Sequence, residues 1–542
     1  MLHLTSPAAA DSTGPKRRGH KAQLVAASMA VLVAAGCSSS GSGSKGASAT
    51  TTASGASSSP TSAAAAAGPA TLTVDQANSP ATLDPGLQYD TDSYVVYRNI
   101  FDQLVRRDQK TLEIVPWVAS SWTNPTPTTW VFQIRPGITF TNGTPLTGND
   151  VAFSINRILD KTLNSPQYAN FSVITGATGT TSSVTITTTA PSPTLLSYLT
   201  TLSIVPQQYV TQVGNQQFDL HPIGSGPYEL SSWVQGSQVT LKANPTYWGG
   251  KPPYQTVDFR TVPTAATRVA DVESGAADIA LELTPDNATQ LKGNSSSQVI
   301  AQPTERVAYL GLNVLGSTPT SSLDVRKAIA YGIDYQGLIS SLEQGYAQPV
   351  KEVLSPNVFG YDASLSGYTY DPTKAKQFLA QSGLGHPTLV FATSPAYPSS
   401  LVQAIQAELQ AVGFTVTIST TDQATYLKKV QSPAHDWGSI RYGIWSCSCL
   451  DADGVIYPLF HTGSIWSSYS NPAFDTAVQA ARTSLDSTQR LSDYATALNI
   501  LQQDLPGIGL WQYYAIDGAN KHISWTPGPQ ETFFIPQIKW VG

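Results

Sequence analysis

The hydrophobic and polar positions along the chain follow two different periods, which succeed each other repeatedly. Residues 264–283 begin with apolar side chains at helical spacing, break at Gly275, and continue as a short apolar run typical of a strand. Residues 401–420 repeat this order, with Gly413 at the junction. Because helices and strands joined by such short connections pack as layers around a sheet, the pattern predicts an α/β fold.

Two segments nearer the N-terminus carry clear local signals. Residues 130–140 contain two β-type runs that meet at Pro136-Gly137, which predicts a hairpin. Residues 150–159 have apolar positions at helical spacing, and Asp150 at their start predicts a helix N-cap. The first strand signal is the alternating run at 72–76, so we expect the folded body to begin near Thr71.

The first 37 residues have the pattern of an export signal. A cluster of basic residues at 16–21 precedes an apolar run at 24–37, which is too short to cross a bilayer as a helix. The run ends in Ala-Ala-Gly-Cys, and this ending resembles the signal of bacterial lipoproteins. We therefore predict a signal peptide at 1–37, with lipid attached to Cys37. An ordinary secretory signal that ends near a cysteine is the alternative.

Composition restricts the structure and the partners of the chain beyond the signal. Residues 38–70 are rich in Ser, Gly, Ala and Thr and cannot bury a core, so they predict a disordered tether. The remaining length exceeds the size that one hydrophobic core usually supports, which predicts two lobes. A net charge of −6 in a chain that is only 12% charged argues against nucleic-acid binding, which needs clustered Lys and Arg.

Several motifs occur in an order that resembles one protein family. They are TLDP (82–85), WVFQIRPGITFTNGTPLTGNDVAFSINRI (130–158), IGSGPYEL (223–230), LKANPTYWGG (241–250), GLNVLGSTPTSSLDVRKAIAYGID (311–334), YDPTKAKQFLAQSG (370–383) and SNPAFDTAVQAA (470–481). Together they resemble the extracellular solute-binding proteins of ABC transporters, family 5, the peptide and nickel type that includes oligopeptide- and dipeptide-binding proteins.

This resemblance implies an α/β, bilobal clamp like that of the periplasmic binding proteins, closed by a two-segment hinge. The first lobe would contain residues 71–312 and 509–542, with an extra subdomain at 97–200. The second lobe would contain residues 313–508, and the chain would cross between the lobes near Asn313 and near Trp511.

The resemblance also implies the function. The chain would be a monomer anchored by lipid to the outer face of the cell membrane, where it would capture a small polar solute and deliver it to an ABC permease. A peptide is the first expectation, and an oligosaccharide or a metal chelate is the alternative. We expect no enzymatic activity, cofactor, bound metal or nucleic acid. Two hypotheses from other functional classes compete with this one. The first is an exported hydrolase that uses Asp451 and Asp453, and the second is a sensor that delivers its ligand to no permease.

Residues 442–460 resemble the ligand-binding segment of the peptide-binding members. There, a tryptophan lines the cleft, and an aspartate three residues later pairs with the α-ammonium group of the peptide. Trp445 aligns with that tryptophan, but Ser448 occupies the position of the aspartate. Since a serine cannot supply the missing charge, Asp451 or Asp453 is the substitute that a shift in register would allow, although Asp453-Gly454 has the pattern of a turn. Tyr442 occupies the position of an arginine found in the oligopeptide binders.

Cys447 and Cys449 flank Ser448 and leave several interpretations open. They could form a disulfide with each other, remain as two buried free thiols, or contribute to a metal site that includes His435 or His461. The spacing of these cysteines and histidines matches no known zinc motif.

Aromatic side chains suit the wall of a binding cleft. Besides Trp445, we expect Tyr89, in the loop after the LDP motif, and Tyr168 to contribute to it.

Overall fold

A computed structural model of the protein describes residues 68–541, which belong to one compact unit. The predicted signal peptide, the lipidation site at Cys37 and nearly all of the predicted tether lie outside the described residues. Within this range, every helix is too short or too polar to cross a membrane.

The strands, in chain order, are β1 (Thr71–Gln76), β2 (Val105–Arg107), β3 (Ile114–Pro116), β4 (Ala119–Thr126), β5 (Thr129–Ile134), β6 (Ile174–Gly179), β7 (Ser183–Thr188), β8 (Tyr228–Val234), β9 (Gln238–Ala243), β10 (Thr256–Thr261), β11 (Ile279–Ala280), β12 (Ser297–Leu312), β13 (Ala347–Pro349), β14 (Thr388–Thr393), β15 (Thr415–Thr420), β16 (Ile440–Trp445), β17 (Gly507–Asn520), β18 (Ile523–Ser524) and β19 (Lys539–Trp540).

The α-helices are α1 (Thr91–Tyr97), α2 (Gly148–Leu159), α3 (Tyr168–Phe171), α4 (Leu195–Leu199), α5 (Gln207–Leu220), α6 (Ala265–Ser274), α7 (Pro285–Lys292), α8 (Leu323–Gly332), α9 (Tyr335–Leu342), α10 (Pro372–Gln381), α11 (Ser399–Val412), α12 (Gln423–Val430), α13 (Asp453–Phe460), α14 (Pro472–Thr483) and α15 (Ser487–Asp504). Two short 3₁₀ helices occupy Pro319–Ser321 and Ile535–Gln537.

One large mixed sheet runs through the molecule in the order β15-β14-β16-β12-β17-β11-β1-β10-β9-β8, and β13 adds to β17. The long strands β12 and β17 pair antiparallel in its middle, so the strands on either side of them depend on this pair for their position. A separate four-stranded sheet, β4-β5-β7-β6, carries helix α2. The fold is the predicted bilobal α/β type.

The hydrophobic cores lie on the two sides of the β12–β17 pair. One cluster contains buried side chains from residues 72–300 together with residues 519–538. Two other clusters draw almost entirely on residues 308–511. A fourth, formed by residues 104–204, fills the space around the four-stranded sheet. Most of the buried apolar surface therefore lies in clusters on one side of the central pair, and a fifth cluster packs Tyr346 against residues 269–291 and Ile516.

The pairing of β12 with β17 is interrupted at two places, between Pro303 and Val307 and between Ala308 and Tyr309, and the first is the longer interruption. The strand bulges at this first place. Proline has no backbone N–H to donate to a ladder, and a bulge changes the direction in which the following side chains point. As a result, Glu305 and Arg306 leave the regular alternation of the strand.

Local sequence signals predicted several elements correctly. Helix α6 ends at Ser274, and Gly275 follows it with φ of 77°, a left-handed conformation that glycine adopts without steric cost. Gly413 likewise separates α11 from β15, so the order predicted for 401–420 is confirmed.

Two local predictions are wrong. Asp150 is not the N-cap of α2; Thr147 is, and Asp150 occupies the third helical position, where its carboxylate accepts from the backbone N–H of Thr147 at 2.9 Å. The two residues form a capping box, so the helix begins before the residue that the sequence pattern indicated. The hairpin at 130–140 has only its first strand, β5, since the second run makes a single bridge from Thr139 to Pro145.

A buried ion pair connects two of the family motifs. The guanidinium of Arg157 in α2 donates to the carboxylate of Asp84, with Nη1 at 2.7 Å from Oδ1, and the Asp84 side chain is fully buried. Removing one member of such a pair leaves the other charge buried and uncompensated.

We therefore expect Asp84→Asn to lower the free energy of unfolding by about 3–5 kcal/mol, measured by urea denaturation. Glu229→Gln is the matched control, because Glu229 pairs with Lys242 in an exposed ion pair at 3.1 Å and exposed pairs contribute little. Equal stability of the two variants would contradict this account.

Candidate functional site

A cavity of about 280 Å³ lies where the central strands β12 and β17 pass the start of α1. Thr304 and Arg306 of β12 and residues 513–517 of β17 form one side of it. Asp92 and Val95 of α1, the loop at 281–283 and the C-terminal segment 525–533 form the other sides, and Ile444 of β16 closes it from across the sheet. The cavity is therefore built from segments far apart in the chain.

The lining of this cavity is strongly charged. Asp92, Glu282, Asp517 and Glu531 contribute four carboxyl groups, and Arg306 contributes a guanidinium. Arg306 pairs with Glu531, with Nε at 2.7 Å from Oε1, and the charge of Glu531 raises the pKa of Arg306. The remaining three carboxyl groups have no cationic side chain of the cavity lining bound to them within salt-bridge distance.

These unpaired carboxyl groups have raised pKa values because burial disfavours their charged form. Burial raises the pKa of Asp517 to about 8, assisted by the charges of Glu531 and Glu282. Burial and the charge of Asp92 raise the pKa of Glu282 to about 7. Burial also raises the pKa of Asp92 to about 6. Clustered groups of this kind are typical of functional sites, since a ligand with positive charge relieves them.

Two of the residues predicted from sequence, Tyr89 and Ser448, contact each other, although neither is in the described lining of the cavity. Tyr89, which is partly buried, forms a side-chain hydrogen bond with Ser448, and burial raises its pKa. The Ser448 hydroxyl also donates to Glu305 Oε1 at 3.3 Å. The loop after the LDP motif, the bulge of β12 and the segment after β16 therefore converge on one serine.

Trp445 and Tyr442 lie behind this site. Trp445 is 7% exposed, its indole Nε1 donates to the carbonyl of Gly454 at 2.9 Å, and its ring packs edge-on against Trp466. Tyr442 is fully buried, and its hydroxyl lies 2.6 Å from that of Tyr513, which lines the cavity. Tyr442 therefore supports the wall of the cavity through Tyr513, whereas Trp445 is packed in the hydrophobic cluster that contains Leu459 and Phe460.

The two nearby aspartates are engaged in ion pairs. Asp451 is 4% exposed and accepts from Arg490 Nη2 at 2.7 and 2.8 Å and from the Tyr494 hydroxyl at 2.9 Å. Asp453 pairs with Arg482, whose Nε lies 2.7 Å from its Oδ1. The structure thus directs both carboxylates toward helices α14 and α15, not toward Ser448.

The structure joins Cys447 and Cys449 by a disulfide bond, which encloses Ser448. Among residues 68–541, no three histidine, cysteine or acidic side chains are grouped as metal ligands. The same loop contacts the opposite side of the cleft, because Arg107 Nη2 donates to the carbonyl of Cys449 at 3.0 Å and Gln530 Nε2 donates to that of Ser448.

Tyr168 does not join this group. It is partly buried in α3 and is absent from the described lining of the cavity. Its neighbour Gln167 donates to the carbonyl of Pro85, which places α3 against the LDP loop.

The charged residues of the site were missed by the sequence analysis. One signal for Glu305 and Arg306 exists, because two adjacent charged residues interrupt an apolar strand and follow a proline. No sequence signal indicates that the four acidic residues of the cavity belong to the site. Each of them reaches β12 only through long-range contacts of its segment, and they are Asp92, Glu282, Asp517 and Glu531.

Known proteins resemble this chain over most of its length. It is 28% identical over 473 residues to the probable D,D-dipeptide-binding periplasmic protein DdpA of Escherichia coli K12. The alignment covers 83% of this chain and 90% of that protein. It is 26% identical over 497 residues to the dipeptide-binding protein of the same organism, covering 84% and 91% of the two chains.

A solved structure has the same fold. HbpA2 from Haemophilus parasuis superimposes with a TM-score of 0.79 at 22% sequence identity, covering 87% of this chain and 99% of that one. In addition, residues 113–467 match the sequence profile of the bacterial extracellular solute-binding proteins, family 5. With this match extending over more than half of its length, the chain belongs to that family of solute-binding proteins.

Proposed function

We propose that this protein captures a short peptide outside the cytoplasmic membrane, encloses it between two lobes, and delivers it to an ABC import permease. The observation that carries this proposal is the charged cavity between β12, β17 and α1, which presents the carboxyl groups of Asp92, Glu282 and Asp517 and the Arg306–Glu531 ion pair to one ligand. A peptide carries an ammonium group, a carboxylate and backbone amides, so it has partners for both kinds of charge.

The size and charge of the cavity support a short, cationic or zwitterionic solute. Its volume of about 280 Å³ is near the lower end of the roughly 300–1,000 Å³ typical of ligand sites. A cationic ligand would stabilise the charged form of the carboxyl groups of Asp92, Glu282 and Asp517, whereas a neutral oligosaccharide would offer them no countercharge and leave their protonated form favoured. The peptide ligands named for DdpA and the dipeptide-binding protein support the same class.

The lobes of the proposed clamp are residues 71–312 with 509–542, including the extra subdomain at 97–200, and residues 313–508. The separate hydrophobic clusters on either side of the β12–β17 pair support these boundaries. Closure of such lobes removes water from the ligand and strengthens each polar contact that it makes. This role requires no catalysis.

The ligand class is tested by a thermal-shift series on the purified protein. Tripeptides that contain lysine should raise the melting temperature more than tripeptides that contain glutamate, and neutral oligosaccharides should have no effect. A ligand at 100 times its dissociation constant adds about 2.7 kcal/mol to the stability of the folded state.

In this series, Glu282→Gln should weaken binding of the lysine peptides about tenfold, because it removes one cavity carboxylate. The control is Glu273→Gln, whose carboxylate accepts from Gln290 away from the cavity. Equal stabilisation by oligosaccharides and peptides would argue against the proposal.

The cavity carboxyl groups also predict a pH dependence. An acid with a raised pKa in the folded state binds more protons there than in the unfolded state, so stability is lost as pH rises from the unfolded to the folded pKa. For Asp517 this window runs from about 4 to about 8.

The free energy of unfolding of the ligand-free protein should therefore fall between pH 5 and pH 8, by up to about 1.4 kcal/mol per pH unit for each such group. Asp517→Asn should reduce this slope in urea denaturation at several pH values. Asp108→Asn should leave the slope unchanged, because backbone N–H groups lower the pKa of Asp108 below this window. An unaltered slope in Asp517→Asn would contradict the assignment.

The proposed membrane anchor has a separate test. Because the lipid would be attached through the Cys37 thiol, Cys37→Ser should either be released from the membrane fraction into the medium or accumulate as an unprocessed precursor. Immunoblots of cell fractions measure this change, and Cys447→Ser with Cys449→Ser serves as the thiol control. Retention of mature Cys37→Ser in the membrane fraction would refute lipid anchoring at this residue.

A further inference from the structure

The site lacks a negative charge at Ser448, the position where the peptide-binding members carry an aspartate. The nearest aspartates along the chain do not replace it. Asp451 is held by Arg490 and Tyr494, and Asp453 is held by Arg482. An aspartate committed to a buried guanidinium could turn toward a ligand only by leaving that guanidinium uncompensated, which costs several kcal/mol.

A carboxylate reaches Ser448 from a different element. Glu305 lies in the bulge of β12 and is 8% exposed. Its Oε1 accepts from the Ser448 hydroxyl at 3.3 Å, whereas its Oε2 is buried and has no hydrogen-bond partner in the described structure. Since a buried acceptor without a donor is unfavourable, this oxygen is suited to a donor from outside the protein chain.

The cations nearest to Glu305 are already engaged. Arg306 pairs with Glu531 at 2.7 Å, and Arg107 donates to the carbonyl of Cys449 at 3.0 Å. Burial and the charge of Glu531 raise the pKa of Glu305 to about 7, which agrees with a carboxylate that lacks its own counterion. Tyr89, bound to Ser448, completes the polar surroundings.

We propose that Glu305 binds the ammonium group of the solute, and so supplies from the hinge strand the charge that the Ser448 position lacks. The inference rests on the proposed function and makes it more specific, because it selects solutes with a free amine. Glu305 itself is not in the described lining of the cavity, but its two neighbours along β12, Thr304 and Arg306, are, and the charge of Glu531, which also lines the cavity, acts on Glu305. A ligand in the cavity would therefore bring its amine to the part of β12 that carries Glu305. An ammonium group can donate to Glu305 Oε2 while the Ser448 hydroxyl keeps its bond to Oε1.

Calorimetric titration of the purified protein with two probes tests this role. The first probe is a pool of Ala-X-Ala tripeptides with free amino termini, and the second is the same pool after N-acetylation. The wild-type protein should bind the free-amine pool at least 100-fold more tightly. Glu305→Gln, which keeps the size of the side chain and removes its charge, should lose about 100-fold in affinity for the free-amine pool and none for the acetylated pool.

Glu352→Gln is the matched control. Glu352 is also a buried glutamate, with one oxygen bound to the backbone N–H of Asp362 and the other without a partner, and burial raises its pKa to about 8. Glu352 lines a different cavity, together with Tyr335, Leu365 and Phe460, so its variant should bind both pools as the wild type does. If Glu305→Gln does not fold, Glu305→Asp retains the charge on a shorter side chain and should lose only part of the preference for free amines.

The outcomes of this titration separate the two proposals. If the wild type binds neither pool, the proposed peptide function fails, and this inference fails with it. If the wild type binds both pools equally, or if Glu305→Gln keeps the preference for free amines, peptide binding stands and the role of Glu305 is refuted.

Discussion

The antiparallel pair of β12 and β17 is the constraint on which the rest of the structure depends. Its two strands, Ser297–Leu312 and Gly507–Asn520, lie in the middle of the large sheet, and the hydrophobic clusters of the two sides attach to their opposite ends. The pair must be continuous to connect the two sides, yet it must deviate at the cleft to present polar groups. The bulge after Pro303 satisfies both requirements, because it turns Glu305 and Arg306 out of the regular alternation without ending the strand.

Buried charges in this protein fall into two groups with different consequences. Asp84 with Arg157, and Asp451 with Arg490, are close pairs whose members satisfy each other and hold loops against helices. Around the cavity, by contrast, Asp92, Glu282 and Asp517 are brought together without enough cations. Their burial costs the folded state stability, and a cationic ligand would supply the missing charge. Burial is the main cause of the raised pKa values of Asp92, Glu282 and Asp517, and no cationic side chain of the cavity lining forms an ion pair with them.

The sequence allowed the α/β class, the family and many helix boundaries to be predicted, because caps, glycines and hydrophobic periods are local. Gly275 and Gly413 mark helix ends by a backbone conformation that needs no tertiary contact. The same local rules failed where two residues share a cap, as Thr147 and Asp150 do. In the site, Trp445 and Ser448 could be aligned with a motif, but Glu305 could not, because its meeting with Ser448 depends on a bulge and on the register of a long strand pair.

The position of Glu305 on a hinge strand also bears on how ligand binding would be coupled to closure of the proposed lobes. With the proposed boundaries, Tyr89 would belong to the first of these lobes and Ser448 to the second, so the hydrogen bond between them would join the two lobes. Arg107 and Gln530 add two more bonds from the first lobe to the loop that contains Ser448. A ligand favours closure only by the difference in its affinity for the closed and open states. An amine held by Glu305 would gain such a difference, because closure brings Ser448 to the same carboxylate and removes the water that competes for it.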